Sequence, residues 1–235
     1  MTLTKYGRRE WMAISLIALV AACVSAFLSW WWALIPIAFV WAALVSFFRD
    51  PVRPVPRNLP AGVFLSPADG TVSAVFQSGH HEAVGGPATV IRIFLSLLNV
   101  HINRSPCEGV VESITHHPGE YLDARTAESA EVNESNLMTL RTDEGLLVGV
   151  RQVSGAVARR IVCVLKVGDR LTRGQKFGMI KFGSTTELIL PQPDRFRVHV
   201  SVGEPVRAGL TQLATLMQAA HTSDVKPVRA MQETG

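Results

Sequence analysis

The distribution of apolar residues divides this chain of 235 residues into two unlike parts. Residues 11–48 form an unbroken run of 38 without a charged side chain. A single helix of that length would measure roughly 57 Å, about twice the hydrocarbon core of a bilayer. Folded in half, the run gives two passes of about 19 residues, near the usual length of a membrane span. Residues 1–48 are therefore predicted to be a hydrophobic helical hairpin that anchors the chain in a membrane.

The aromatic residues of the run support a hairpin. All five tryptophans lie within it, and Trp30, Trp31 and Trp32 are at its middle, where a hairpin would meet the far interface. A cleaved signal peptide is disfavoured, because the run is too long and no small-residue cleavage site follows it. A monotopic or re-entrant hairpin stays open as an alternative, since residues 33–48 are short for a full crossing.

The rest of the chain has the pattern of a mostly β (α+β) domain. Residues 49–60 contain four prolines and are predicted to be a linker. Residues 61–220 are predicted to be the main domain, in which short β-branched runs alternate with turn signals. These runs are 89–94, 146–150, 161–167, 188–190 and 196–202. A weak helical pattern covers 204–220, and residues 221–235 form a polar tail.

An internal repeat indicates the type of β core. Residues 167–174 and 202–209 share the pattern V-G-acid-x-apolar-x-x-G, which predicts tight turns with glycines at positive φ. Together with a turn at 66–72, these segments resemble the β fold of lipoyl and biotinyl carrier domains. The resemblance predicts a barrel-sandwich, lipoyl-like core, and it does not by itself indicate a function.

Basic residues flank the apolar run on both sides, so a spanning hairpin would have both ends on one side of the membrane. They are Lys5, Arg8 and Arg9 before the run and Arg49, Arg53 and Arg57 after it. The positive-inside rule predicts a cell (inner) membrane protein whose soluble domain faces the cytoplasm. The net charge of +4 fits an anionic membrane surface, and no nucleic-acid motif is present.

The candidate chemistry lies in residues 181–187 (KFGSTTE), since nucleotide-binding, hydrolase and metal-ligand motifs are absent. As a pattern alone this stretch predicts a loop. A strained Gly183–Ser184 bond can also rearrange to an ester, because the Ser184 hydroxyl can attack the preceding carbonyl, which glycine leaves open. Elimination and hydrolysis then leave a pyruvoyl group. The serine needs an adjacent base, such as a histidine oriented by a carboxylate.

Several separated segments, in a fixed order, carry a resemblance to a known family. They are 66–70 (SPADG), 94–106 (FLSLLNVHINRSP), 118–119 (PG) with 133–136 (NESN), 149–162 (GVRQVSGAVARRIV) and 182–185 (FGST). With these segments, which cover most of residues 61–190 behind a membrane anchor, the chain resembles the phosphatidylserine decarboxylase family in its short bacterial and archaeal form.

The resemblance implies a role for several residues. Ser184 would be the nucleophile of self-cleavage and then the carrier of the covalent pyruvoyl group, which forms the Schiff base with the substrate. Gly183 would end a large chain of 183 residues, and a small chain of 52 residues (235 − 183) would stay associated with it as a heterodimer, within a possible higher oligomer. His101 would be the base, and Asp69 would orient it.

Three arginines have open roles. Longer family members carry a second histidine where this chain has Arg104, so His101 would serve both steps, or Arg104 or a water would take one. Arg159 and Arg160 are either a solvated charge pair or a contact for the lipid phosphate, which suits the arginine fork.

The implied activity is the conversion of phosphatidylserine in the membrane to phosphatidylethanolamine, a step of phospholipid biosynthesis. Two alternatives remain. A pyruvoyl decarboxylase of a soluble amino acid would have no need of the hairpin. A non-enzymatic, membrane-tethered lipoyl-like adaptor would need a lysine at a hairpin tip, and the centres of the repeated turns contain none.

Overall fold

The computed structural model describes residues 2–56, 58–126, 128–156, 160–181 and 183–217. Arg57, Arg159, Phe182 and the predicted tail 221–235 lie outside these ranges. Helices α1 (Arg8–Phe27) and α2 (Leu34–Ser46) come first, and a short α3 (Ser129–Val132) lies in the main domain. Single 3₁₀ turns occupy Lys5–Gly7, Trp31–Ala33 and Pro193–Arg195.

Strands dominate the described residues that follow the helices. They are β1 (Val63–Leu65), β2 (Gly70–His81), β3 (Gly86–Leu95), β4 (Ile102–Arg104), β5 (Gly109–His117), β6 (Ser135–Arg141), β7 (Leu147–Val153), β8 (Ile161–Cys163), β9 (Arg170–Leu171), β10 (Lys176–Ile180), β11 (Ser184–Pro191), β12 (Phe196–Val198), β13 (Pro205–Val206) and β14 (Gln212–Leu216). The prediction of a mostly β domain is confirmed, and each predicted apolar run lies in or overlaps a strand.

The strands form one large antiparallel sheet and two small ones. The large sheet has eight strands in the order β13-β2-β3-β11-β7-β6-β5-β9, and the small sheets have the orders β1-β14-β12 and β4-β10-β8. Their apolar faces enclose a single main core, in which Phe64, Phe177, Ile93 and Leu140 are almost completely buried. Strands β6 and β11 are buried along almost their whole length, which explains why the sequence shows short, continuous β-branched runs.

The repeated turns bring the two edges of the large sheet together. Each begins and ends with a glycine at positive φ: Gly168 and Gly174 in one, Gly203 and Gly209 in the other, as the pattern predicted. One repeat holds β9 and the other β13, the two edge strands. A Cβ built on Gly209 would lie only 3.5 Å from the Gly174 Cα, so the turns touch. The sheet is therefore curled until its edges approach each other.

The weak helical pattern over 204–220 is wrong for its described part. Residues 205–206 and 212–216 are strands β13 and β14, joined by a turn around Gly209. A helix is interrupted there because Gly209 has φ +71 and because β14 pairs with β1 on one side and β12 on the other.

The apolar run forms the expected helical hairpin, with α1 packed against α2. Residues Lys5–Phe27 are long and apolar enough to cross a membrane, with mean hydropathy 2.0 and only 6% of the window buried, which indicates membrane association. The second segment, Trp31–Ser46, is shorter. The Trp41 indole Nε1 donates to the Ser15 hydroxyl at 3.1 Å and ties the two helices together.

The base of the hairpin is part of the main domain's packing. Phe47 and Phe48 pack with Val100, Ile102 and Met179 in a second hydrophobic cluster. Phe48 is completely buried, and its backbone carbonyl accepts a hydrogen bond from the Thr4 amide at 2.9 Å. The chain thus enters and leaves the hairpin at one place, against the segment that carries residue 101.

The predicted linker lies along the domain and forms neither helix nor strand in its described part after Arg49. Arg53 forms a bidentate ion pair with Asp69, with both N–O distances at 2.6 Å. The Arg173 guanidinium donates to the carbonyls of Leu59 and Pro60 at 3.2 Å each. These contacts fix the direction in which the chain passes from the hairpin to β1.

A buried charge cluster crosses the centre of the large sheet. Glu187 on β11 is 2% exposed and accepts a hydrogen bond from Arg92 of β3 at 2.7 Å. Arg151 of β7 lies 3.6 Å from its other carboxylate oxygen. The cluster therefore links β11 to the strands on both sides of it.

We expect Glu187→Ala to lower the free energy of unfolding by about 3–5 kcal/mol, because two largely buried arginines lose their common anion. The matched control is Glu112→Ala, which removes an exposed ion pair with Arg141 and should cost about 0–1 kcal/mol. Urea unfolding in detergent, followed by far-ultraviolet circular dichroism, measures both. Equal losses in the two variants would contradict the prediction.

Candidate active site

Gly183 and Ser184 lie where β11 enters the large sheet. Ser184 is opposite Leu95 of β3, and the next residue, Thr185, is opposite Val153 of β7. Gly183 has φ +67, in the left-handed region that favours glycine. The backbone before Ser184 therefore turns in a way that glycine adopts at low cost, and the predicted strain of the bond between 183 and 184 stays a prediction.

The Ser184 side chain is buried, and its hydroxyl is not engaged by another described group. The residue is completely buried, and its Oγ has no hydrogen-bond partner among the described residues. A buried hydroxyl without a partner costs about 1–3 kcal/mol, and native proteins leave few of them. Such a group is typical of a site where the hydroxyl reacts.

The carbonyl of Gly183 packs against Gly155. A Cβ on residue 155 would overlap the Gly183 carbonyl oxygen and would also lie 3.0 Å from the Ala124 Cβ. Only glycine at position 155 leaves room for the carbonyl in this place. Gly155 is therefore a residue that positions the bond between 183 and 184.

His101 immediately precedes β4 and continues its pairing with β10, since the Ile180 amide donates to the His101 carbonyl at 3.2 Å. The imidazole is completely buried, with its ring centroid 4.3 Å from that of Phe47. Nδ1 lies 3.0 Å from the Asn99 carbonyl oxygen, which can only accept, so Nδ1 carries the proton. Nε2 is buried without a partner among the described residues and presents a free lone pair.

A buried chain of amide and hydroxyl groups joins the histidine segment to β11. Asn103 donates to the Thr186 hydroxyl at 3.1 Å, Gln152 donates to Asn103 at 2.9 Å, and Asn136 donates to Gln152 at 3.2 Å. Side chains two residues apart in extended backbone share a face. His101 lies two residues before Asn103, and Ser184 lies two residues before Thr186. The hydrogen bond between Asn103 and Thr186 therefore brings the two segments together.

Asp69 lies in the turn before β2, and its carboxylate is bound elsewhere than at the imidazole. Beside the two bonds from Arg53, Asp69 Oδ1 accepts from the Ala208 amide at 2.8 Å. Among the described residues, the His101 ring donates its Nδ1 hydrogen to the Asn99 carbonyl oxygen. Asp69 acts on the imidazole through space, by its charge.

The imidazole of His101 is neutral at physiological pH. Burial lowers its pKa to about 4, helped by the positive charge of Arg49, while the Asn99 carbonyl and the Asp69 charge oppose the shift. A neutral imidazole with a free Nε2 can accept a proton, which is the property that a general base needs.

The arginines with open roles lie in different surroundings. Arg104 is buried and donates to the carbonyls of Gly174 at 3.0 Å and Pro51 at 3.4 Å, so it fastens the linker. Arg160 is exposed and lies 3.9 Å from Glu10 of α1, whose carboxylate also binds the buried Lys181 at 2.5 Å. The first turn of the anchor helix therefore holds the segment just before Gly183.

A pocket of about 490 Å³ leads from the surface to Gly183. Its walls come from the end of β3, the turn that follows and the loop around Ala124; they are Phe94, Leu95, Ser96, Leu97, Leu98, Asp123, Ala124, Arg125, Ala156 and Gly183. In the part of the chain that the structure describes, no three metal-ligating side chains come together.

Several functional neighbours were missed in the sequence. Arg53 and Phe47 gave no signal, because their roles depend on contacts between distant segments. Gly155 lies within the matched segment 149–162, but its contact with the Gly183 carbonyl could not be read from the sequence. The amides Asn103, Gln152 and Asn136 did give a signal: each lies within a matched segment, and a polar amide inside a buried strand needs a partner.

The fold and the site define a class of protein: a β-rich domain on an apolar hairpin, with a buried Gly-Ser junction and a neutral histidine. Residues 41–214 match the family model described as phosphatidylserine decarboxylase. The chain is 39% identical over 216 residues to the phosphatidylserine decarboxylase proenzyme of Rhodopirellula baltica, which covers 91% of this chain and 88% of that protein. The corresponding protein of Paraburkholderia xenovorans is 39% identical over 215 residues, covering 89% and 96%.

This chain belongs to the phosphatidylserine decarboxylase family. The family model spans most of the β domain and the last part of α2, and the relatives match over nearly their whole length. The resemblance seen in the sequence is thereby confirmed, and membership in the family supports an enzyme of the decarboxylase class.

The buried His101 predicts how stability depends on pH. The unfolded chain has the ordinary histidine pKa of about 6.5, whereas the folded value is about 4. Between these values only the unfolded state binds the proton. The contribution of the buried His101 to the free energy of unfolding is therefore fully present above about pH 6.5. It falls as the pH drops toward 4, by up to about 3 kcal/mol.

Urea unfolding in detergent at about pH 7 and about pH 4.5 measures this loss. His101→Gln should reduce the difference between the two pH values, and the exposed His80→Gln should leave it as in the wild type. An unchanged difference in His101→Gln would show that other groups cause the acid sensitivity.

Proposed function

We propose that this protein decarboxylates phosphatidylserine to phosphatidylethanolamine with a pyruvoyl group formed from Ser184. The observation that carries the proposal is the Ser184 hydroxyl, which is buried and has no hydrogen-bond partner among the described residues. It lies next to a glycine with φ +67, at the start of a central strand. The relatives named phosphatidylserine decarboxylase proenzyme support the substrate and a precursor form.

Self-cleavage begins with attack of Ser184 Oγ on the carbonyl carbon of Gly183. The C–O bond forms as the C–N bond breaks, so the peptide becomes an ester and the amide nitrogen becomes an amine. His101 Nε2 is the base for the hydroxyl proton in this step. Gly155 leaves room for the Gly183 carbonyl. Lys181, bound to Glu10, fixes the chain just before Gly183.

In the elimination that follows, the Ser184 Cα proton is removed and its electron pair forms a Cα–Cβ double bond, while the bond between Cβ and the ester oxygen breaks. Gly183 leaves as the carboxyl end of the large chain, and residue 184 becomes dehydroalanine. Water hydrolyses this group to a ketone, and ammonia is released. The residues present fit the pyruvoyl group, because residue 184 is completely buried and stays at the start of β11, between β3 and β7.

The two chains stay together because strands of the small chain pair with strands of the large chain. After cleavage the small chain contributes β11 to β14. In the structure β11 pairs with β3 and β7, β13 pairs with β2, and β14 pairs with β1, all of which belong to the large chain. These ladders support a stable heterodimer.

The pyruvoyl carbonyl supplies an electron sink for the loss of carbon dioxide when it carries the serine head group. The protein's own residues provide the surroundings of that chemistry. The pocket ending at Gly183 admits the head group. Arg125 at its rim is ion-paired with Asp123 at 2.5 Å, so a lipid phosphate would compete with that carboxylate for the guanidinium. The hairpin keeps the domain at the membrane surface, where the substrate's acyl chains remain.

Orientation follows from the basic flanks of the hairpin. Lys5, Arg8, Arg9 and Arg49 lie at the end of the hairpin from which the domain extends. The positive-inside rule favours the cytoplasmic side for this end, so we place the catalytic domain in the cytoplasm. The hairpin also favours a lipid substrate over a soluble amino acid, and the buried Ser184 hydroxyl favours an enzyme over an adaptor.

The intact mass of the purified protein tests the maturation chemistry. We expect two chains that break between residues 183 and 184, with a keto group instead of an amine at the start of the small chain. Ser184→Ala should stay a single chain, and the exposed Ser73→Ala should be cleaved normally. A single uncut wild-type chain in an active sample would refute the pyruvoyl mechanism.

Gly155→Ala tests whether the Gly183 carbonyl must be held in place. We expect cleavage to slow by about a hundredfold, because the added methyl group displaces the carbonyl from the attacking hydroxyl. Conversion of the precursor after synthesis is followed on gels, and circular dichroism checks the fold. Gly86→Ala, whose methyl group meets open space, is the control. Cleavage of Gly155→Ala at the wild-type rate would contradict this role.

A further inference from the structure

The turn between β3 and His101 presents two leucines to the solvent. Leu97 is 53% exposed and Leu98 is 85% exposed. The turn is internally bonded, since the Ser96 amide and hydroxyl donate to the Asn99 side-chain oxygen at 2.8 and 2.7 Å. The Asn99 amide donates back to the Ser96 carbonyl at 2.9 Å. The leucines are therefore held outward by the turn, and burying them elsewhere would require breaking it.

This turn is continuous with the base of the membrane hairpin. Arg49, the residue at which the hairpin ends, donates its guanidinium to the Leu98 carbonyl and forms a backbone bridge with Leu3. On the other side of the turn, His101 packs on Phe47. Leu98 therefore lies beside the point where the chain leaves the apolar hairpin.

The surroundings of the turn match a lipid surface. Exposed cations, Lys5, Arg8 and Arg9, lie at the same end of the hairpin, where they would meet anionic head groups. Leu97 and Leu98 also form one wall of the pocket that ends at Gly183. A pair of leucines beside a membrane helix gains transfer free energy by entering the interface.

We propose that the turn 96–99 is a second membrane contact, which inserts Leu97 and Leu98 into the head-group and acyl boundary of an anionic bilayer. The mouth of the pocket then opens at the bilayer surface, and a phospholipid reaches Gly183 without leaving its leaflet. The part of this proposal that concerns substrate entry rests on the proposed function, whereas insertion of the turn does not.

The depth of residue 98 tests insertion directly. Leu98→Cys, in a chain with Cys23→Ser and Cys163→Ser, is labelled with an environment-sensitive nitrobenzoxadiazole dye. The protein is placed, one copy per disc, in nanodiscs of phosphatidylglycerol and phosphatidylcholine that contain doxyl-labelled lipids. We expect a blue-shifted emission and strong quenching by shallow doxyl groups.

A label at position 167 is the matched control. Val167 is 65% exposed and lies next to Val111 near the start of β5, at the end of the sheet opposite to the Ser184 end of β11. It should show neither a blue shift nor quenching. Equal emission and quenching at both positions would overturn the proposal, as would a blue shift at 98 without lipid quenching, which indicates a protein contact. The measurement is repeated in Ser184→Ala, so its result holds even where maturation fails.

Substrate entry is tested by Leu97→Ser with Leu98→Ser. We expect the apparent KM for phosphatidylserine in vesicles to rise at least about tenfold, because two apolar side chains no longer hold the pocket at the surface. The rise for a dispersed short-chain phosphatidylserine should be much smaller. Val167→Ser should change neither value. Equal rises for both substrates would show that the leucines bind the substrate in the pocket alone, and would overturn the proposed entry from the membrane.

Discussion

The pairing of β11 with strands on both of its sides is the constraint on which the site depends. This strand begins at Ser184, and it is held by β3 on one side and β7 on the other, with Glu187 bound to an arginine from each. Because the ladder starts at the serine itself, the backbone just before it must turn sharply, and Gly183 takes the left-handed conformation there. The same ladder would keep a newly made chain end in place after the bond breaks.

The histidine depends on a different part of the molecule. Its imidazole is enclosed by the base of the hairpin, where Phe47 covers the ring, and its Nδ1 is bound by a backbone carbonyl. Burial keeps the ring neutral without a carboxylate in direct contact. Asp69 instead binds Arg53 and the Ala208 amide, so its carboxylate joins the linker to the domain near the repeated turns. The position of the imidazole is thus set by the packing of the anchor, and that of Ser184 is set by the sheet.

The sequence predicted what depends on local pattern. The apolar hairpin, the strands and the glycine conformations in the repeated turns follow from residue periodicity and from turn chemistry, and they are confirmed. The reactive Gly183–Ser184 junction was predicted from its motif, and its role stays a prediction. What depends on contacts between distant segments could not be predicted: the ion pair of Arg53, the place of Gly155 against the Gly183 carbonyl, and the chain of buried amides. The weak helical pattern near the end failed because burial within a sheet outweighed a local preference.

The burial of Phe48 has a consequence for how the protein is divided. The boundary between anchor and enzyme does not fall in the proline-rich segment, because Phe47 and Phe48 complete a cluster with Val100, Ile102 and Met179. A shortened chain that starts after these phenylalanines would open this cluster to water and uncover the histidine ring. The anchor is therefore not a detachable tether, and the smallest soluble unit of this enzyme would need a substitute for the two aromatic rings.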